Sequence, residues 1–367
     1  MNRHLPSLDG IRAVSILLVF AAHAGLEKFV PGGFGVTIFF FLSGYLIATL
    51  LRIEFNKTRT VSFKRFYLRR ALRILPTFYL VLGIAVLLTQ FHIFPGELHW
   101  PGTISLFLSF SNYWRIFEDA SGQPLGTGVY WSLAVEEHFY LVFPWLYLML
   151  QRQLAAPRQQ ALVLWAICAV VLVWRCILVY GFHTLEDRTY YASDTRADSI
   201  VFGCALAVYG NPALDGKGQV SEQVWKCLLL PLGFAGLLFS LMFRDPLFRE
   251  TFRYSLQGIS LYPVFIVALR YPYWGLFRIL NLKWVSFLGV LSYSLYLLHY
   301  IVIYIIKSQL PIVHPIGQAI LAFGLSVLLA WGIYRLVEKP CAKLRKQLSN
   351  TEIGSMPGLV GTSRLRR

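Results

Sequence analysis

An arginine and a histidine interrupt the first apolar run of this 367-residue chain, Arg12 and His23, eleven positions apart. At about 100° per residue that spacing is three turns plus about 20°, so both side chains share one helical face, ~16 Å apart along the axis. Ionisable groups inside an apolar run are costly and mark functional positions by default. A neutral imidazole near the middle of such a run is a natural general base. The competing account is structural: a histidine bonded to a neighbouring helix and an arginine reaching for lipid headgroups.

A second polar stripe lies in Trp131-Ser132-Leu133-Ala134-Val135-Glu136-Glu137-His138-Phe139-Tyr140. Ser132, Glu136 and Tyr140 fall at i, i+4 and i+8, on one face of an otherwise apolar helix. Either Glu136 or Glu137 could orient a histidine, hold its tautomer and stabilise its cation. An interfacial acidic pair is the alternative. Upstream, Arg69, Arg70 and Arg73 precede Pro76 at the mouth of another apolar run. Arg70 and Arg73 lie one turn apart, and guanidinium forks bind phosphate oxygens in bidentate geometry. Membrane anchoring explains a basic loop equally well. Arg196 and Asp198, and the group Ser292, Tyr293, Tyr296 and His299, complete the polar residues on apolar runs. Glu338, beside Lys339, is expected to cap or pair.

These side chains need elements to hold them, and composition says which. Hydrophobic residues make up 56% of the chain and charged residues only 14%, against about a quarter charged in soluble domains. That surplus of apolar surface requires lipid as solvent. Ten apolar runs fall near 11–27, 33–51, 75–92, 131–150, 160–179, 197–209, 223–242, 254–270, 285–306 and 315–334. Segment 103–114 is apolar but short, and is expected to be re-entrant or interfacial. The first run is expected to stay in the mature chain, having no A-x-A-like cleavage site after it. The expectation is an all-α integral membrane protein of about ten transmembrane helices in one unit, residues 1–340. A basic tail, 341–367, is expected to be disordered or to lie on anionic lipid.

Charge gives the orientation. With the N-terminus in the cytoplasm, 24 of the 34 Lys and Arg fall on that side and 9 on the other, with Arg12 inside the first run. This bias favours both termini inside, at a plasma (inner) membrane. The net charge of +16 is therefore read as membrane topology, and nucleic acid is not an expected partner. The five cysteines form no CxxC pair and read as small core hydrophobes, with neither a metal site nor a disulfide framework.

Taken in order, several blocks resemble the acyltransferase-3 family of membrane acyltransferases. They are Leu8-Asp9-Gly10-Ile11-Arg12 with His23, Gly35-Val36 through Phe39-Phe40 to Ser43-Gly44-Tyr45, Arg70 with Arg73, and Trp131-Ser132-Leu133 with Glu136. Thr195-Arg196 with Asp198, Ser292-Tyr293 with Tyr296 and His299, and Tyr334 with Glu338 follow. Ile11 and His138 depart from the commoner Leu and Gln. The resemblance implies ten spans, and an acyl group, expected to be acetyl, moved from cytoplasmic acyl-CoA to a hydroxyl of an extracytoplasmic or lipid-linked glycan. It associates Arg12 and His23 with catalysis and Arg70 and Arg73 with the donor. No fused SGNH domain is expected in this chain.

The combined expectation makes His23, Arg12, Glu136 and Glu137 catalytic. Arg70, Arg73 and Arg69 bind acetyl-CoA or another acyl-CoA. Asp198, Arg196, Ser132, Tyr140, Tyr293 and His299 contact substrate. Two rivals are a proton-coupled transporter or glycan flippase, since proton relays also use buried His, Arg and Glu, and a non-catalytic assembly partner of a polysaccharide system. The acceptor and the oligomeric state are left open.

Overall fold

The computed structural model describes residues 6–216 and 220–354, and within them the chain is helices joined by turns, without a strand. Every one of the ten apolar runs is helical. Eight of these helices are long and apolar enough to cross a membrane: Ser7–Leu26, Gly32–Thr58, Phe63–Gln90, Pro157–Gly181, Glu222–Met242, Phe252–Arg270, Lys283–Gln309 and Pro315–Arg345. The other two are Trp131–Gln153, whose hydropathy is lowered by its polar stripe, and the 16-residue Ser193–Val208. The latter reaches ~24 Å, short of a ~30 Å hydrocarbon layer. It compensates by being enclosed: from Thr195 to Val208 only Ala197 is not buried.

That central helix is held by close backbone approach. A Cβ on Gly203 would lie 1.9 Å from the Phe41 carbonyl oxygen, and one on Gly44 would lie 1.9 Å from that of Ile200. Without a hydrophobic force between helices in lipid, such small-residue crossings carry the association. The same device joins the first helix to Lys283–Gln309, where a Cβ on Gly289 would stand 1.8 Å from the Asp9 oxygen. Gly203→Ala should therefore force two backbones apart and lower the unfolding midpoint in detergent, costing about 1–3 kcal/mol as overpacking does. An unchanged midpoint would show that this crossing does not limit stability.

The first helix changes pitch around His23. Pro6–Ala21 is α-helical, then Ala22–Leu26 widens into a π turn that contains His23. Gly25 sits there at φ 115°, a left-handed conformation natural to glycine. Wide turns of this kind re-aim single side chains. Segment 103–114 forms two short helices, Trp100–Phe107 and Ser111–Glu118. The helix Lys339–Gly354 takes in the start of the tail segment expected to be disordered or to lie on lipid, and packs on Phe63–Gln90. Residues 355–367 of that tail lie outside the described residues.

Candidate active site

Two cavities lie along the first helix, and Arg12 and His23 line different ones. The Arg12 cavity has a volume of about 100 Å³. Arg70 and Arg73 enter it from Phe63–Gln90, Ser132, Glu136 and Tyr140 from Trp131–Gln153, Ser43 from Gly32–Thr58, and Tyr293 from Lys283–Gln309. The expected i, i+4, i+8 stripe thus faces one space. Its groups are linked: the Tyr140 hydroxyl donates to Glu136 Oε2 at 2.8 Å and pairs with the Ser43 hydroxyl. Since the Tyr140 proton is spent on Glu136, Ser43 is the donor in the second bond. Arg70 lies over the Tyr140 ring, 5.3 Å from its centroid. Arg12 donates to Asp9 Oδ1 at 2.7 Å. The Tyr293 hydroxyl donates to the Ile74 carbonyl at 2.8 Å.

His23 lines the larger cavity, about 1120 Å³, together with Arg115, Trp131, Tyr190, Tyr191, Arg253, Tyr254 and Tyr300. Val36 and Tyr296 line both cavities and so form the septum between them. The Tyr296 hydroxyl donates to the Val129 carbonyl at 2.9 Å, which leaves its lone pair for the Ser132 hydroxyl at 2.6 Å.

The partner of His23 is His299, with Nδ1 of the first 2.9 Å from Nε2 of the second. The buried His299 points its own Nδ1 at the carbonyl oxygens of Tyr296, 2.7 Å away, and Leu295, 3.2 Å away. A carbonyl only accepts, so His299 Nδ1 carries the proton and its Nε2 holds a lone pair. His23 Nδ1 must then donate, and His23 Nε2 is left unprotonated. The ring also bonds the Val19 carbonyl one turn back, and it borders the large cavity. A histidine fixed in this tautomer is equipped to take a proton from a hydroxyl or to attack a carbonyl.

Several assignments change as a result. Neither Glu136 nor Glu137 orients His23: Glu136 faces the Arg12 cavity across the septum, and Glu137 lines neither cavity. His299 lines neither cavity either, and holds the histidine in place of a substrate. Arg69 is engaged with Glu54 Oε2 at 2.8 Å, away from Arg70 and Arg73. Asp198 and Arg196 are fully buried and lie outside both cavities. Asp198 receives both Nη groups of Arg175, at 2.9 and 2.6 Å. Arg196 lies 3.8 Å from the Tyr254 ring centroid, with Tyr190, Trp131 and Phe40 around it. It therefore supports the aromatic floor of the large cavity from below. Sequence reasoning passed over Arg175, Arg115 and this aromatic floor, because none of them has a distinctive spacing. Ser43 was within a quoted block but had no visible partner. Among the described residues, no cluster of three His, Cys, Asp or Glu side chains is placed to hold a metal ion.

The family described as "Acyltransferase domain", acyltransferase-3, matches residues 5–335. The chain is 31% identical over 355 residues to the peptidoglycan O-acetyltransferase OatA of Listeria monocytogenes, covering 93% of this chain and 56% of that relative. It is likewise 31% identical to the putative peptidoglycan O-acetyltransferase YrhL of Bacillus subtilis, with 92% and 55% covered. For the O-acetyltransferase OatA of Staphylococcus aureus the figures are 31%, 93% and 58%. The chain thus spans little more than half the length of these relatives. No solved structure matches it. With the match extending from ahead of Arg12 into the last long apolar helix, and the paired arginines and histidine lining its two cavities, this chain belongs to the acyltransferase-3 family.

Proposed function

We propose that this protein is a multi-pass plasma-membrane O-acetyltransferase that moves acetyl from cytoplasmic acetyl-CoA to a hydroxyl of an extracytoplasmic glycan of the peptidoglycan class. The observation that carries this reading is the His23–His299 bond, which leaves His23 Nε2 basic at the wall of a large cavity. The positive-inside bias supports ten spans with both termini in the cytoplasm. That orientation turns the Arg12 cavity inward and the His23 cavity outward.

On this reading the donor approaches from the inner side. Arg70 and Arg73 hold CoA phosphates at the mouth. A space of about 100 Å³ is far below the ~300–1,000 Å³ of typical ligand pockets, so it takes the pantetheine arm and leaves the nucleotide outside. Arg12 lines the same path. The thioester carbonyl meets His23 at the Val36–Tyr296 septum. His23 Nε2 takes the proton of the acceptor hydroxyl as its oxygen bonds to the carbonyl carbon. The carbon–sulfur bond breaks, and the imidazolium returns the proton to the departing thiolate. His299 supports the imidazolium by accepting from Nδ1 throughout.

Labelled acetyl-CoA given to the purified protein in lipid, with glycan fragments as acceptor, tests the reading. Label on a glycan hydroxyl is the expected result. A transporter or flippase would leave the label on CoA. Replacing both Arg70 and Arg73 with Gln should raise the donor KM at least ~10-fold with a smaller change in kcat, since each charge-assisted bond is worth ~1.5–3 kcal/mol. An unchanged dependence on donor concentration would remove the two arginines from the donor site.

A further inference from the structure

The large cavity is lined by Lys28, Arg115, Arg244, Arg249 and Arg253 against Glu27, Glu186 and Asp187, an excess of positive charge that a neutral sugar does not need. Its floor is a row of inclined aromatic rings: Trp131 lies 5.0 Å from Tyr190 and 5.1 Å from Tyr191, centroid to centroid, at 50° and 74°, and Tyr190 leads on to Tyr254 at 6.5 Å and 61°. Flat rings of this kind match the apolar faces of pyranose sugars. An arginine stands at each end of the row, Arg115 4.6 Å from the Tyr191 centroid and Arg253 4.8 Å from that of Tyr254. Arg196 lies beneath it.

None of the three is neutralised closely. The Nε atoms of Arg115 and Arg253, and Nε and Nη1 of Arg196, are buried with no hydrogen-bond partner among the described residues. Arg115 bonds the Gly128 carbonyl at 3.4 Å and the Tyr191 hydroxyl. Arg253 donates to the Tyr254 hydroxyl at 2.7 Å and has Glu250 only at 3.7 Å. Glu250 is itself occupied by the Thr189 hydroxyl, and burial pushes its carboxyl above the usual range. Arg196 donates to the Thr37 hydroxyl at 3.1 Å. An unpaired buried donor costs ~1–3 kcal/mol, more when charged. Two arginines with such donors line one cavity and a third underlies it, a setting suited to an oxyanion.

We infer that the His23 cavity binds an acidic glycan: the aromatic floor stacks the sugar, and Arg115 and Arg253 receive a carboxylate or phosphate carried by that sugar or its neighbour. The inference rests on the acceptor entering this cavity, as proposed above. The anion anchors the chain at the arginines while a free hydroxyl of the same glycan reaches His23. A neutral glycan keeps the stacking but loses the anchor. Guanidinium forks donate to planar oxyanions in pairs, and Arg115 and Arg253 both line the cavity.

The test is equilibrium binding to the full chain in lipid nanodiscs, without donor. Three oligosaccharides of equal length serve as probes: a uronate-containing one, its carboxyl-reduced neutral counterpart, and a phosphorylated form of that neutral chain. Wild type should bind at least one charged probe ~10-fold or more tighter than the neutral one, with the preference shrinking as salt rises. The better charged probe identifies carboxylate or phosphate as the anion. Arg115→Gln with Arg253→Gln should bring the ratio close to one. The Lys pair at the same positions should retain most of it, which excludes a collapsed cavity as the cause. Equal binding of all three probes by wild type, or an undiminished ratio in the Gln pair, would overturn the inference. Because no donor is present, that result leaves the acetyl-transfer reading standing. Intact glycan preference with no labelled transfer would sink the transfer reading alone.

Discussion

His23→Ala should give a protein that inserts and binds glycan normally but transfers acetyl about a thousandfold more slowly. Removing a positioned general base costs ~10²–10⁴ in rate, and the large cavity offers no second imidazole, because His299 is buried behind His23. The measurement is single-turnover transfer from labelled acetyl-CoA, alongside size-exclusion profiles to confirm folding. His299→Phe is the informative companion. It preserves a ring of similar bulk beside Phe20 and Tyr300 but removes the acceptor that fixes the His23 tautomer. A histidine free to protonate either nitrogen presents the wrong one part of the time, so kcat should fall while the glycan KM holds. A donor-binding role for His299 would instead move the KM for acetyl-CoA. Full activity in His23→Ala would remove the histidine from the reaction and favour a non-catalytic partner.

The residues that make this prediction were legible in part. Arg12 and His23 announced themselves because an apolar run cannot hide their cost, and the ten runs appeared as helices because hydropathy is a local property. Ser132, Glu136 and Tyr140 face one cavity because helical spacing is local too. What spacing could not supply was the partner across the bundle. His299 lies 276 positions from His23, and two nearer carboxylates were the obvious candidates for its role. Their helix delivers Glu136 to the other side of the septum. The π turn at Ala22–Leu26 was equally silent, since four small or apolar residues around one histidine carry no signature of a wider pitch. Asp198 and Arg196 lie in separate surroundings for a related reason. Opposite charges two positions apart look like a binding pair, yet side chains at i and i+2 of a helix point away from each other. Each side chain found its own environment, Arg175 for one and an aromatic cage for the other.

That Arg175–Asp198 pair carries the largest expected effect on stability. Both side chains are fully shielded from solvent. Arg175 also donates to the carbonyl oxygens of Thr195 at 2.6 Å and Thr251 at 3.0 Å, and to the Ser255 hydroxyl at 2.6 Å. Asp198 further accepts from Ser255 Oγ and from the Ser199 N–H, each at 2.8 Å. Three helices, Pro157–Gly181, Ser193–Val208 and Phe252–Arg270, are thereby tied at one point beneath the aromatic floor. Breaking such a pair leaves an uncompensated buried charge, at a cost of ~3–5 kcal/mol. Asp198→Leu and Arg175→Met should each lower the unfolding midpoint in detergent sharply.

The double replacement should recover much of the loss, because two apolar side chains of similar volume avoid the desolvation that the pair endures. Recovery should be incomplete, since the Thr195 and Thr251 carbonyls and the Ser199 N–H lose partners. Non-additivity of this sign is what contact between the two sites requires. Transfer per folded molecule separates this account from a substrate-binding role for Asp198. A structural tie predicts that Asp198→Leu loses folded protein first, with the survivors showing little change in glycan KM once Arg175→Met is added. A residue that held the sugar would instead raise the glycan KM in both the single and the double variant, with the midpoint of Asp198→Leu left where it was.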